Sequence, residues 1–265
     1  MKKINKIIIT LLLLNTSIIQ GTEVINESSF EKLRELNLEE YDSGYGLWDS
    51  ADIELFSSED ENFIIGLWKS KAGSEEIDTP FPYNVFYLLK SGEIETVTGS
   101  GETNRFVSGD GFLIPKGWMG SFSIKEDVEL IYFYDGIVQT KNNPDRDIYK
   151  DARVHYNKDT ILQSMSSKEF EEDEYGLTTK EQMTFNNKDE SFSMGLWESS
   201  KTNIPSDWSY DELMFVITGQ IIMTDENNNV FEVNPGEGII VSSGWKGNFT
   251  IPDEVVKIWA IYDPK

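Results

Sequence analysis

Residues 109–131 recur at constant spacing as residues 236–258, and both copies carry the frame G-x-G-x5-GW-x-G-x-F-x-I. Gly109, Gly111, Gly117, Trp118, Gly120, Phe122 and Ile124 correspond to Gly236, Gly238, Gly244, Trp245, Gly247, Phe249 and Ile251, each pair 127 residues apart. Such a repeat is too long for a solenoid unit and about the size of one small domain, so the expected architecture is two copies of one fold. The likeness continues upstream. Phe63, Gly66, Leu67 and Trp68 match Phe192, Gly195, Leu196 and Trp197 at a spacing of 129, and residues 83–94 match 210–221 at 127, so a two-residue length change lies between these blocks. Tyr45-Gly46-Leu47 resembles Tyr175-Gly176-Leu177. The expected organisation is an export signal over 1–21, an N-terminal unit with a leading helix over 22–136, a linker over 137–173 and a second unit over 174–265.

Each unit reads as β-structure. Short runs rich in β-branched and aromatic residues (85–89, 111–114, 128–134, 213–217, 239–241, 255–261) are punctuated by glycine-bearing turns such as Ser91-Gly92, Lys116-Gly117, Thr218-Gly219 and Ser243-Gly244. Many short strands at regular spacing predict an antiparallel sandwich or barrel. Helical patterns are confined to 28–38 and 160–170, each just ahead of a unit, where they serve to cover a barrel or the seam between barrels. Apolar residues make up 38% of the chain and aromatics 12%, enough for two packed cores.

The formal charge of −24 arises from 47 acidic against 23 basic residues spread along the chain. With no cluster of cations, the sequence argues against nucleic acid as a partner and against an anionic membrane surface. Lys2, Lys3 and Lys6 precede the apolar run 7–14, which is too short to span a bilayer and reads as an export signal, so a periplasmic or secreted protein without an integral membrane span is expected. No cysteine is present, so neither a disulfide nor thiol catalysis is possible. The only histidine, His155, falls in the joining segment and reads as a surface residue; no G-x-S-x-G elbow accompanies it.

The GLW triplets at 66–68 and 195–197, WSYDE at 208–212, SGDGFLIPKGWMGSF at 108–122 and PGEGIIVSSGWKGNF at 235–249 resemble the cupins, and within them the ureidoglycine aminohydrolase-like class. The resemblance implies an all-β fold of two tandem jelly-roll barrels, a bicupin with short accessory helices and a pocket at one end of each barrel. In that family a divalent metal is held by three histidines and a glutamate. Anchored on Gly219, the glutamate slot falls on Glu212, the first two histidine slots fall among Pro205, Ser206, Asp207 and Trp208, and the third falls on Gly247. In the first unit Val85 takes the glutamate slot, residues 78–81 the first two histidine slots and Gly120 the third. No metal or other cofactor is therefore expected.

If Glu212 points inward, the two-residue period of a strand puts Trp208, Tyr210 and Met214 on its face, with Phe249 opposite; in the first unit the same face carries Phe81, Tyr83, Val85 and Tyr87. Trp208, Tyr210, Glu212, Met214, Phe249, Tyr83 and Tyr87 are thus the candidate pocket residues, and Glu212 with Tyr210 the candidate catalytic pair. The preferred reading is an exported, metal-free bicupin that binds a small molecule or serves a structural role. Two alternatives stay open: a hydrolase resembling ureidoglycine aminohydrolase, acting on a small ureido or amino compound, and a metal-independent isomerase or lyase with Glu212 as general base. The oligomeric state is undetermined by the sequence.

Overall fold

A computed structural model describes residues 22–136, 150–172 and 176–264. The expected export signal and Tyr175 lie outside the described residues. The described residues are mostly β, with two short helices among them, in keeping with the all-β fold the sequence predicts. In chain order the elements are β1 (Thr22–Ile25), α1 (Glu27–Glu35), β2 (Glu39–Asp42), β3 (Leu47–Ser57), β4 (Phe63–Ser70), β5 (Gly73–Ile77), β6 (Asn84–Thr98), β7 (Thr103–Val107), β8 (Gly111–Ile114) and β9 (Gly120–Asp135). They continue with β10 (His155–Tyr156), α2 (Lys158–Ser166), β11 (Glu171–Glu172), β12 (Thr178–Asn186), β13 (Phe192–Ser199), β14 (Thr202–Asp207) and β15 (Asp211–Gly219). The last are β16 (Ile221–Asp225), β17 (Val230–Val233), β18 (Gly238–Val241), β19 (Lys246–Ile251) and β20 (Val255–Tyr262).

All strand pairs are antiparallel. The N-terminal strands form one sheet in the order β10-β8-β6-β9-β4-β3-β2, with β5 on β9 and β7 on β6. The C-terminal strands form a seven-stranded sheet, β1-β18-β15-β20-β13-β12-β11, and a four-stranded one, β14-β19-β16-β17. The two halves differ mainly at a corner. β6 and β9 turn it as continuous strands, with register shifts between Leu89 and Ile94, whereas the equivalent run in the second half breaks into β15–β16 and β19–β20. A glycine sits at that corner in each half, Gly92 (φ +87°) and Gly219 (φ +80°). A Cβ there would lie 2.3 Å from the Asp127 carbonyl oxygen or 1.8 Å from that of Glu254, so only glycine serves.

The turn hydrogen bonds repeat with the sequence. Phe81 N–H donates to Trp118 O (2.9 Å) and Gly117 N–H to Phe81 O (2.7 Å); Trp208 N–H donates to Trp245 O (2.8 Å) and Gly244 N–H to Trp208 O (2.7 Å). The Asn84 carboxamide oxygen accepts from Lys116 N–H at 2.9 Å, and the Asp211 carboxylate from Ser243 N–H at 2.8 Å.

Three apolar cores result from strands whose two faces are both covered. Along β4, Phe63, Ile65 and Leu67 face the other half of the molecule while Ile64 and Trp68 face the N-terminal barrel interior. Along β20, Val256, Ile258, Ala260 and Tyr262 face the first half and Val255 faces the C-terminal interior. The shared core stacks Phe63 on Tyr262 (5.7 Å between ring centroids) and sets it against Phe192 (5.8 Å), while the Tyr262 hydroxyl donates to Asp60 at 2.5 Å. Each fully buried phenylalanine there contributes about 1.5–3 kcal/mol, so this seam holds the halves together as firmly as a core does.

The leading strands cross over. β1 pairs with β18, aligning Ile25 with Gly238, and β10 pairs with β8, aligning Tyr156 with Gly111. Each strand that precedes one half thus completes a sheet of the other. The helices that follow them pack on the strands downstream: α1 is capped by Asn26 and buries Phe30 and Leu33, and α2 is capped by Asn157 and buries Ile161 and Met165.

Candidate functional site

The expected inward face of the C-terminal barrel is the one observed. Met214, Phe249 and Ile251 belong to its interior core, with Trp208 packed against it. Glu212, at the start of β15, is 3% exposed. Its Oε1 accepts from the Lys257 ammonium at 2.8 Å and its Oε2 from the Trp208 indole N–H at 2.8 Å. Lys257 is itself buried, its Nζ 4.9 Å from the Trp197 ring centroid and 5.9 Å from that of Phe249. The carboxylate is thereby supplied with a counter-ion and a second donor, the condition a buried charge requires. Tyr210 is half-buried, its ring 6.5 Å from that of Trp208.

Lys257 is the residue sequence reasoning missed. A lysine in the run VVKIWAIY was the available signal, since a charged side chain inside a strand buried on both faces calls for a partner. Two further indole N–H groups, of Trp245 and Trp259, are buried without a hydrogen-bond partner among the described residues.

The metal cage implied by the cupin resemblance does not fit these residues. Where it would hold a cation against Glu212, an ammonium stands. The third histidine slot is a glycine under compulsion: a Cβ on Gly247 would lie 2.1 Å from the Thr224 carbonyl oxygen and 2.6 Å from the Trp245 ring, and one on Gly120 would lie 2.1 Å from the Val97 carbonyl oxygen. Among the described residues no three His, Cys, Asp or Glu side chains gather as a metal site would need. Lys246 pairs with Asp207 at 2.6 Å, both exposed, on the outside of the four-stranded sheet. An open concavity of about 510 Å³ lies on that sheet and includes neither Glu212 nor Lys257.

The N-terminal barrel is built differently at the same places. Val85 and Leu130, both 0% exposed, stand where the second half has Glu212 and Lys257, and Phe81 stands for Trp208. Beyond this apolar patch the interior is lined with tyrosine. Tyr83 just ahead of β6, Tyr87 on β6, Tyr132 and Tyr134 on β9 and Trp68 on β4 form a wall, with Tyr83–Tyr134 centroids at 5.0 Å, Tyr132–Tyr134 at 4.9 Å, Trp68–Tyr87 at 6.4 Å and Tyr87 opposite Tyr132 in the strand register. Tyr83 and Tyr87 were expected from the sequence; Trp68, Tyr132 and Tyr134 follow from the same two-residue period on the neighbouring strands but were missed.

Tyr45, Trp68, Tyr83, Tyr87 and Tyr134 point inward and yet stay partly open to solvent, which marks a recess rather than a filled core. The hydroxyls of Tyr83, Tyr87 and Tyr134 make no hydrogen bond to another described residue and are not sealed from solvent. Burial pushes all three phenols up, neighbouring phenols add to the effect at each, and Glu75 adds to it at Tyr83 and Tyr87. They are neutral donors and acceptors throughout the physiological range.

Carboxylates rim this recess. Asp52 pairs across strands with Trp68, Glu54 with Gly66 and Glu75 with Phe122, so all three share the inward face. Asp52 lies 3.5 Å from the Tyr132 hydroxyl, and Glu75 accepts from the Trp48 indole N–H at 2.9 Å. Desolvation raises the Asp52 carboxyl, opposed by the Tyr132 hydroxyl; desolvation, then repulsion from Asp52 and Glu61, raises that of Glu54. Gly66 belongs to the same construction, because its missing side chain makes room for Tyr132: a Cβ would lie 2.4 Å from that ring and hydroxyl. Gly195 serves Trp259 likewise, with a Cβ 2.7 Å from its ring, which accounts for the repeated glycine of the GLW triplets.

His155 lies on β10, in the expected linker, its side chain 44% exposed. Its Nε2 is 3.5 Å from Asp110, and its ring stands edge-on to Phe106 at 4.8 Å.

Comparison with known proteins agrees with this architecture. Residues 186–259 match the EutQ-like cupin domain family. Among solved structures, a protein of unknown function of the DUF861 family from Pseudomonas syringae pv. tomato is similar at 15% identity, over 83% of this chain and 87% of that one, with a TM-score of 0.63. A cupin 2 conserved barrel domain protein from Leptotrichia buccalis is similar at 13% identity, over 94% and 99%, with a TM-score of 0.60. A mutant salicylate 1,2-dioxygenase from Pseudoaminobacter salicylatoxidans in complex with gentisate is similar at 11% identity, over 96% and 84%, with a TM-score of 0.64. At these identities the likeness is one of fold. No curated protein matches the chain.

Proposed function

We propose that this cupin-fold protein is an exported tandem pair of barrels that binds a small molecule in its N-terminal interior, without a resident metal and without turnover. The observation that carries this reading is the contrast between the halves. In the C-terminal barrel the one carboxylate in the family's ligand position is already bound to Lys257 and Trp208. In the N-terminal barrel, the hydroxyls of Tyr83, Tyr87 and Tyr134 have no hydrogen-bond partner among the described residues and are not sealed from solvent. Apolar walls with a few convergent polar groups are the usual character of a small-molecule site. The absence of room for a histidine at Gly120 and Gly247 supports a binding role that owes nothing to Lewis-acid chemistry.

A screen of small molecules by thermal shift on the chelator-treated protein, repeated with Tyr87→Leu and Tyr134→Leu, tests the reading. Ligands that stabilise the parent chain and lose their effect in these variants support it. Stabilisation that survives both substitutions, or that needs added metal, refutes it.

The burial of Glu212 beside Trp208, whose ring lies 6.5 Å from that of Tyr210, favours a second reading, a metal-independent isomerase or lyase with Glu212 as base. It requires substrate to displace Lys257 or Trp208 from the carboxylate. Glu212→Gln separates the two, since it abolishes turnover in the second reading and leaves N-terminal binding intact in the first. A hydrolase of the ureidoglycine aminohydrolase kind rests on the sequence resemblance and calls for a metal that these residues do not accommodate.

A further inference from the structure

We propose that the N-terminal recess selects an organic cation of the alkylammonium or quaternary ammonium class; this rests on the binding role assigned to it above. Aromatic ring faces carry negative electrostatic potential, and several rings arranged around one space hold a cation better than a neutral group of equal shape. Here Trp68, Tyr83, Tyr87, Tyr132 and Tyr134 supply such faces on or beside three adjacent strands: Tyr83, Tyr134 and Tyr132 follow one another at 5.0 and 4.9 Å, Trp68 and Tyr87 stack at 6.4 Å, and Tyr87 is the cross-strand partner of Tyr132.

Among the described residues, the charged groups acting on the wall have one sign. Asp52, Glu54 and Glu75 face it, and none has a lysine or arginine partner among the described residues. The charged groups acting on the wall phenols are carboxylates alone. This contrasts with the other barrel, where the inward carboxylate has its own internal ammonium, Lys257, lying over Trp197 and beside Phe249. The C-terminal half thus satisfies an aromatic and acidic interior with a built-in cation, and the N-terminal half presents one to be satisfied from outside. The overall charge of −24 draws cations toward the mouth and repels anions.

The test uses three probes of nearly one shape on the full chain: choline, its neutral carbon isostere 3,3-dimethyl-1-butanol, and the anion pivalate, followed by calorimetric titration and tyrosine fluorescence. The expected result is choline binding about tenfold or more tighter than the neutral isostere, with pivalate weakest. Asp52→Asn, which keeps shape, is expected to reduce choline affinity about three- to tenfold and leave the neutral probe unchanged, and Lys246→Ala on the outer sheet to change neither. Tyr87→Leu, checked by its unfolding midpoint, is expected to weaken every probe. If the neutral isostere binds as well as choline, the cation inference fails while the binding role stands. If no probe perturbs the tyrosines at millimolar concentration, both fail.

Discussion

The buried pair Glu212–Lys257 allows a stability test in which the molecule supplies its own control. Lys257→Leu leaves a carboxylate that is 3% exposed with only the Trp208 indole N–H at 2.8 Å to face it. Removing one partner of a buried ion pair costs about 3–5 kcal/mol, and neutral residues in place of both are often no worse than the pair. The other half shows which residues those are, because Val85, Leu130 and Phe81 occupy the positions of Glu212, Lys257 and Trp208. In Glu212→Val/Lys257→Leu the Trp208 indole N–H is left without its acceptor, a cost of about 1–3 kcal/mol, and adding Trp208→Phe removes that orphan. Urea unfolding followed by tryptophan fluorescence and by far-ultraviolet circular dichroism should therefore give the order wild type and triple variant close together, the double variant below them and Lys257→Leu lowest. A single variant within about 1 kcal/mol of wild type, or a triple variant as weak as the single, would refute the view that each charge is needed only because the other is there.

Further outcomes follow from the same geometry. Gly66→Ala and Gly195→Ala should each lower the unfolding midpoint by the equivalent of about 1–3 kcal/mol, because the new methyl meets the Tyr132 or Trp259 ring and a backbone carbonyl at under 3 Å; unchanged midpoints would contradict the packing described. Gly247→His should destabilise the chain and confer no zinc binding by titration with a metal indicator, since its Cβ has no room. The Asp52 and Glu54 carboxyls are raised from ordinary values of 3.8 and 4.5, so the folded chain retains protons that the unfolded chain releases. Their contribution favours folding below those values and is lost as pH rises through the native ones. Asp52→Asn/Glu54→Gln should therefore unfold later than wild type at pH 7, with the difference vanishing near pH 3, as thermal melts across pH will show. Removing residues up to 26 should speed hydrogen exchange at residues 238–241, more than 200 positions away, because β1 covers the edge of β18.

The fold was legible because the repeat preserves the residues that backbone geometry forces. Gly92, Gly109 and Gly117, with Gly219, Gly236 and Gly244, all adopt positive φ at the same turns, so the punctuation that marks strands in the sequence is the punctuation of the fold. The inward faces of β6 and β15 were legible for the reason that strand side chains alternate. The crossing of β1 and β10 was not. Strands of four and two residues carry no period, and their partners lie far along the chain. The pairing of Glu212 with Lys257 was open to inference only in part: Glu212 could be placed by its motif, but which cation met it depends on the register between β15 and β20, where Lys257 lies opposite Val216. The tyrosine wall escaped because Tyr132 and Tyr134 sit in a run that is apolar on both faces, and composition alone does not separate a side chain that fills a core from one that lines a recess.

The most direct measurement is the affinity of choline for the full-length protein before and after exhaustive chelation, read by calorimetry with tyrosine fluorescence as the site reporter. Metal-independent recognition in the N-terminal barrel predicts the same isotherm in both preparations and its weakening by Asp52→Asn. Binding that disappears with the chelator and returns with a divalent metal would contradict it.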